Sequence, residues 1–188
     1  MGAVRSEVYD SRSISLHWAT ASLVVVQWLG AHAIDWFPRG PLRVDARSVH
    51  LVIGVALLAV MAARLTWRLS GAQRPGPAAG PGIVSGLATA VHWTLYALVI
   101  AVLLAGVVNT VVRGDSFFGL LKIPAFHPQD KVLRGQVESL HESLANLLLI
   151  VAGAHAVAAL AHQWLWRDGV LGRMIPGLRR RPEANGRP

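Results

Sequence analysis

Two histidines on one apolar segment are the residues of this chain best placed to do chemistry. His141 and His155 lie fourteen residues apart in the stretch LHESLANLLLIVAGAHAVAALAHQW. On an α-helix this spacing is just under four turns and about 21 Å of rise, so both side chains leave the same face. An ionisable or metal-ligating side chain inside a membrane span is costly and is retained where function requires it. The spacing therefore predicts two stacked cofactor sites near opposite membrane surfaces.

Two further histidines, His17 and His50, supply partners at matching depths. Each begins an apolar segment, and alternating helix directions place His50 beside His141 and His17 beside His155. Haem iron takes two axial ligands, and ligation by two histidines suits electron transfer because no coordination position stays open. The four residues therefore predict two b-type haems, one outer (His50 with His141) and one inner (His17 with His155).

Three other residues near the inner site have competing interpretations. His92 lies at the inner depth on the third apolar segment and competes with His17 as a ligand. Arg64, fourteen residues after His50, is predicted either to pair with a haem propionate or to anchor the helix at a basic membrane border. His162, seven residues after His155, is a candidate quinone site or an ordinary interfacial polar residue.

The elements that must position these histidines follow from the composition. The chain has 188 residues, of which 53% are hydrophobic and 15% charged, which is too apolar for an ordinary soluble domain. Four apolar segments are each about as long as a membrane span, approximately 16–34, 48–67, 87–112 and 140–166. They predict an all-α fold, a single domain over residues 1–188 that forms a transmembrane four-helix up-down bundle. A soluble bundle is disfavoured because the helices lack polar faces.

The charge distribution predicts the orientation of the bundle. Of the 18 basic residues, eleven fall on the side that holds both termini and seven on the other side. The positive-inside rule therefore places both termini in the cytoplasm. The basic tail, residues 167–188, is expected to contact anionic lipid rather than nucleic acid. The chain has no cysteine, which excludes thiolate-held iron–sulfur clusters and covalent haem attachment, so any haem is held noncovalently.

The segments that carry the histidines resemble the bacterial cytochrome b-561 family. They are SISLHW, VHLVIG, LHESLANLLL and GAHAVAALAH, followed by WRDGVLGRMIP, and the resemblance covers about residues 13–176. It implies a four-helix inner-membrane protein with two b haems ligated from the first, second and fourth helices. That ligand set carries over onto His17, His50, His141 and His155.

One branch of the family implies a reaction in which superoxide gives up an electron that passes through the haems to ubiquinone. The alternative is a haem b subunit that transfers electrons for a partner dehydrogenase or hydrogenase. A haem-free transporter is a third class, but the repeats or broken helices typical of transporters are not evident. The expected partners are therefore membrane lipid, ubiquinone, and superoxide or another electron donor.

No catalytic residue is assigned from sequence, but two arginines are candidates for steering an anion toward the outer haem. Arg47 and Arg134 each lie within about two helical turns of an outer ligand, His50 and His141 respectively. Exposed cations attract a small anion such as superoxide. Acidic residues nearly balance the basic ones on that side. The alternative to a steering role is therefore that the two arginines are ordinary, scattered loop charges.

Overall fold

The computed structural model describes residues 8–70 and 82–178. Within these ranges the fold is all-α, as predicted, and four long helices dominate it: α1 (Ser11–Ile34), α2 (Pro41–Leu69), α3 (Ile83–Arg113) and α4 (Lys131–Ala161). A short antiparallel hairpin, β1 (Ser116–Phe117) and β2 (Leu121–Lys122), lies between α3 and α4. After α4 come a π-helical turn (His162–Trp166) and two 3₁₀ turns (Leu171–Arg173 and Pro176–Leu178). Residues 179–188 of the predicted basic tail fall outside the described residues.

Each helix is long and apolar enough to cross a membrane. Many large apolar side chains point away from the bundle, among them Leu29, Val55 and Ile150, which are 56%, 58% and 69% exposed. In water such a surface would be unfavourable, but in lipid it is the expected outer face of a span whose backbone is satisfied internally. The exposed apolar faces therefore support the membrane bundle rather than the soluble one.

Three helices begin five to nine residues before the apolar segments that predict them. The Asp10 carboxylate caps α1 by accepting from the Ser13 amide at 3.0 Å, and Asp130 caps α4 by accepting from the Leu133 amide at 2.8 Å. Pro41 occupies the first turn of α2, where its missing N–H costs nothing. Hydropathy identifies only the part of a helix that crosses the lipid. Because a capping residue satisfies the first backbone amides, the helix itself can begin earlier, among polar residues.

The four helices pack as two antiparallel pairs, α1 with α2 and α3 with α4, and contacts between α2 and α3 are sparse. The pairs meet in a buried core at mid-height to which all four helices contribute: Val24, Leu57, Met61, Tyr96, Val99 and Leu148. This core separates the two ends of the bundle. We call the end where α1 and α3 begin the terminal end, and the opposite end, with the β-hairpin, the loop end.

The β-hairpin is fastened to α2 by Ser48, which is fully buried. Its hydroxyl accepts from the Phe118 amide at 2.8 Å and lies within hydrogen-bond distance of the Val44 and Ser116 carbonyls, at 2.8 and 2.9 Å. A buried hydroxyl with this many partners is well satisfied and holds both segments in place. The hairpin therefore covers the loop end immediately beside His50.

Candidate functional site

His50 on α2 and His141 on α4 face each other at the loop end. Their ring centroids are 6.4 Å apart and the ring planes are nearly perpendicular, at 84°. A metal–imidazole bond is about 2.0 Å long, so two imidazoles on opposite sides of one iron have centroids roughly 6 Å apart. The separation of His50 and His141 therefore fits an iron between the two rings, as the sequence predicts for the outer pair.

The surroundings of His141 fix the orientation of its ring. Nδ1 lies 3.1 Å from the Val102 carbonyl, which can only accept, so Nδ1 carries the proton and Nε2 keeps its lone pair for a metal. A Cβ on Gly106 would lie 3.1 Å from Cε1 of His141, so α3 passes close against the ring. On the opposite side, Nδ1 of His50 is buried without a hydrogen bond of normal geometry, and the Gln27 carbonyl lies nearby. The hydrogen bond from Nδ1 thus orients the ring of His141, while the ring of His50 has the Gln27 carbonyl nearby.

At the terminal end three histidines converge. The rings of His92 and His155 are 5.1 Å apart at 70°, and His17 lies within electrostatic range of both. Nη2 of Arg64 lies 3.0 Å from Nδ1 of His17. The structure therefore places the competing residue His92 directly against His155, with His17, the predicted partner of His155, within electrostatic range of both.

The hydrogen bonds of this terminal cluster constrain which nitrogen atoms can bind a metal. A guanidinium group only donates, so Nδ1 of His17 accepts from Arg64, and the proton of the neutral ring resides on Nε2. Ligation through Nε2 therefore requires Arg64 to turn to another acceptor, such as a carboxylate. The Ala88 carbonyl, four residues earlier on α3, lies near the ring of His92.

A second arginine, which the sequence analysis missed, extends the terminal cluster. The guanidinium groups of Arg64 and Arg68 lie 5.1 and 5.3 Å from the ring centroid of Tyr96, and Arg68 also lies 5.2 Å from that of Trp93. Tyr96 is only 7% exposed. The four-residue spacing of the arginines on α2 indicates a shared face and could have identified Arg68. Two cations stacked on the buried ring of Tyr96 make this end suited to an anionic group.

The steering candidates at the loop end belong to a network of mixed charge. Arg47 lies 3.5 Å from Asp115, and Arg113 contacts both Asp115 at 3.7 Å and Glu138 at 2.6 Å. Burial raises the pKa of Asp115, although the nearby arginines, including Arg134, oppose the shift. Arg47 is therefore ion-paired in this structure, while Arg134 is exposed. The sequence did not indicate the pairing because Arg47 and Asp115 are 68 residues apart.

His162 lies in the π-helical turn that ends α4. Its Nδ1 is 2.5 Å from Oδ2 of Asp168, and its ring centroid is 4.7 Å from that of Trp166. About a quarter of the His162 side chain is exposed. The sequence identified His162 but not Asp168, because a pairing across six residues outside a regular helix has no periodic pattern.

Taken together, the fold is a membrane-spanning four-helix bundle with a cluster of histidines at each end, the arrangement expected of a membrane cytochrome of the b type. The sequence model of the prokaryotic cytochrome b561 family matches residues 8–177 of this chain. The chain therefore belongs to the prokaryotic cytochrome b561 family, which confirms the resemblance seen in the sequence. Membership establishes a multi-pass membrane protein of a haem b family.

Relatives with similar sequences cover nearly all of the chain. It is 33% identical over 171 residues to the probable superoxide oxidase CybB of Yersinia pestis, covering 89% of this chain and 96% of the relative. It is 27% identical over 171 residues to cytochrome b561 homolog 1 of Escherichia coli, covering 89% and 97%. It is also 27% identical over 173 residues to cytochrome b562 of Cereibacter sphaeroides, covering 89% and 94%. These similarities support electron transfer as the general activity.

Proposed function

We propose that this protein oxidises superoxide at the loop end and passes the electrons to ubiquinone at the terminal end. The observation that carries the proposal is the presence of one histidine cluster at each end of the bundle, separated by a buried apolar core. The similarity to a probable superoxide oxidase supports this choice of donor. In the overall reaction two superoxide anions and two protons convert one ubiquinone to ubiquinol and release two molecules of oxygen.

The proposed axial ligands are His50 with His141 at the loop end and His17 with His155 at the terminal end. The 6.4 Å separation of the first pair and its oriented Nδ1 support the loop-end assignment. For the terminal end, the electrostatic proximity of His17 to His155 supports the assignment. These residues would hold two haems, which would supply a one-electron path through the bundle when bound.

Arg64 is the proposed partner of a propionate on the terminal-end haem. It lies against His17 and above Tyr96, and it would exchange its bond to Nδ1 of His17 for a carboxylate, a better acceptor for a guanidinium. That exchange would free His17 to carry its proton on Nδ1 and to offer Nε2 to the iron. The rearrangement would couple haem binding to the orientation of the His17 ring.

At the loop end the chain's role is to bring a small anion close to the bundle. Because two histidines would hold each haem, superoxide would need close approach to the bundle rather than an open coordination position. Arg134 is exposed there, and Arg47 lies three residues from His50 in the network with Asp115. Their cations would raise the local concentration of an anion.

At the terminal end the chain's role is to supply protons to the quinone. His162 lies beyond His155 at the end of α4, where lipid and water meet, and histidine exchanges protons near neutral pH. We place this end in the cytoplasm because it carries the larger number of basic residues. Electrons would then arrive from the loop end and protons from the cytoplasm.

Stopped-flow absorption of the purified protein tests the proposal. Superoxide generated without any partner protein is expected to reduce the haems, and subsequent addition of a short-chain ubiquinone is expected to reoxidise them. His162→Ala should slow reoxidation while haem content stays unchanged. Normal reoxidation in this variant would remove His162 from the quinone site. Absence of reduction by superoxide would overturn the donor assignment and favour an electron-transfer subunit for a partner dehydrogenase or hydrogenase.

A further inference from the structure

The segment after α4 folds back so that Asp168 meets His162. Arg167 has a left-handed backbone, with φ of 55°, and Gly169 follows with φ of 74°. A left-handed conformation is unfavourable for a residue with a side chain and persists where the surrounding structure holds it. The Asp168 amide donates to the His162 carbonyl at 3.2 Å, which closes the turn. Backbone geometry thus returns Asp168 to the histidine.

The Asp168 carboxylate is itself held at both oxygens. Oδ1 accepts from the Val170 amide at 3.2 Å, and Oδ2 lies 2.5 Å from Nδ1 of His162. An ionised carboxylate only accepts, so Nδ1 of His162 must carry a proton. The ring of His162 also packs against Trp166, with the two ring centroids 4.7 Å apart. His162 is therefore fixed in rotation and in tautomer, with Nε2 as the nitrogen that remains for a ligand.

The same turn exposes a strongly apolar surface. Trp164, Leu165 and Trp166 are 70%, 75% and 61% exposed. Tryptophan is typical of the membrane–water interface, where an apolar ring and a polar group are both accommodated. A π-helical turn at such a place is frequently associated with function. An apolar quinone that diffuses in lipid would meet His162 beside this surface.

We infer that Asp168 is a positioning residue that holds His162 as the proton donor to the quinone, an inference that rests on the proposed quinone site. The doubly protonated ring donates from Nε2: the N–H bond breaks, an O–H bond forms on the quinone oxygen, and the electron comes from the reduced haem. The Asp168 carboxylate stabilises the cationic ring before transfer and keeps the neutral ring in the same tautomer afterwards. Water at the terminal end then restores the proton.

Reoxidation by a short-chain ubiquinone is compared for Asp168→Asn, Asp168→Glu and His162→Gln, each with its haem content verified. Asp168→Asn is expected to lower the maximal rate about tenfold with little change in the quinone KM, and Asp168→Glu to restore most of the rate. His162→Gln is expected to lower the rate about a hundredfold, the smaller end of what a general acid contributes. Asp130→Asn, which alters a capping carboxylate at the opposite end, is the control and should behave as wild type.

The variants distinguish the quinone site proposed at His162 from the positioning role inferred for Asp168. If His162→Gln and Asp168→Asn both reoxidise normally, the quinone site is wrong and the inference fails with it. If only His162→Gln is slow, the quinone site stands and the role of Asp168 is refuted. A second readout needs no turnover: ¹⁵N NMR of the wild-type protein should show Nδ1 of His162 protonated, with His162→Gln identifying the resonance. An unprotonated Nδ1 would overturn the inference even if Asp168→Asn failed to assemble.

Discussion

The imidazoles of His50 and His141 lie nearly perpendicular across the α2–α4 interface with their centroids 6.4 Å apart. No hydrogen bond between the two rings accounts for this separation. Instead His141 is turned by the Val102 carbonyl, so that its Nδ1 points away from any metal on the other nitrogen. Backbone carbonyls behind histidine ligands are a common second layer of metal sites and set the tautomer of the ligand. The loop-end pair thus has the spacing and the support that a ligand pair requires.

Haem content tests this pair directly. The wild-type protein is expected to contain two b haems per chain, and His50→Ala or His141→Ala to retain one, because each removes a single axial ligand at the loop end. Pyridine haemochrome absorbance against protein concentration gives the ratio, and His32→Ala is the control because it alters a histidine that bonds only within its own helix, to the Trp28 carbonyl. One haem in the wild type, or full retention in His50→Ala, would contradict the assignment.

Gly106 tests how closely α3 supports the ligand. Alanine there would place a Cβ 3.1 Å from Cε1 of His141, closer than nine in ten such contacts, so the ring or the helix must shift. We expect Gly106→Ala to change the midpoint potential of one haem or to weaken its binding, and to leave the other haem unaffected. Potentiometric titration of the absorption bands measures this. Gly30→Ala, where a Cβ meets nothing within 4 Å, should titrate as wild type.

The terminal end offers a choice between two ligands for the second haem. His17→Ala should remove one haem and His92→Ala should retain both, since we assign His17 with His155. The contact between His92 and His155, with centroids 5.1 Å apart, makes the opposite result physically possible. If His92→Ala loses a haem and His17→Ala does not, then His92 is the inner ligand and Arg64 remains bonded to His17 in the holoprotein. Haem stoichiometry of the two variants decides between them.

Sequence periodicity predicted the four helices, because helical rise and span length are local properties. It could not resolve His17 from His92, since two helices at the same depth contribute equally well to a site. The choice depends on how helices are arranged around the bundle, and nothing in a single span encodes its neighbours. The competition at the terminal end is therefore the part of the site where tertiary structure was needed.

The sequence also could not predict which charged residues pair with each other. Arg47 looks like a free cation beside His50, but the hairpin after α3 brings Asp115 to 3.5 Å from it. The two are far apart in the chain, and their pairing depends on Ser48 fastening the hairpin to α2. The sequence likewise did not predict the contact between Asp168 and His162, because the left-handed turn that brings them together follows no helical period.

The cap of α1 provides a stability prediction. Asp10 accepts from the amide and hydroxyl of Ser13 at 3.0 and 2.7 Å and from the Trp67 indole at 3.0 Å, so it joins α1 to α2. Asp10→Ala should lower the free energy of unfolding by about 1 kcal/mol and Tm by about 2–4 °C in detergent. Asp35→Ala, whose side chain is 82% exposed at the other end of α1, should shift Tm by less.

The same cap has a defined pH dependence. Burial alone would raise the pKa of Asp10, but the bonds from Ser13 and Trp67 outweigh it and lower the pKa. A lowered pKa means that the stabilisation is present above the usual aspartate value of about 3.9 and is lost as the pH falls through the folded-state value. The Tm difference between wild type and Asp10→Ala should therefore be constant near neutral pH and shrink below about pH 4. A difference that grows on acidification would contradict this role.

Salt and charge variants test how superoxide approaches the loop end. The Debye length falls from about 8 Å at 0.15 M to 3 Å at 1 M salt, so attraction by Arg47 and Arg134 should weaken. Haem reduction by superoxide is expected to slow by up to about tenfold over this range, and the double variant Arg47→Gln, Arg134→Gln to be slow at all salt concentrations. Arg43→Gln, which changes a cation already held by Asp35 and the Phe37 carbonyl, is the matched control.

Asp115→Asn is expected to act in the opposite direction, because it removes the carboxylate that pairs with Arg47 and Arg113. Its rate of reduction by superoxide should exceed that of wild type at low salt, with the difference disappearing at high salt. Because burial raises the pKa of Asp115, protonation on acidification neutralises it sooner than an exposed aspartate, and the wild-type rate should approach that of the variant as the pH falls. Comparison of the two proteins at each pH cancels the protonation of superoxide itself. Stopped-flow rates that do not respond to salt, to Asp115→Asn or to the arginine substitutions would show that electrostatic attraction has no part in the reaction.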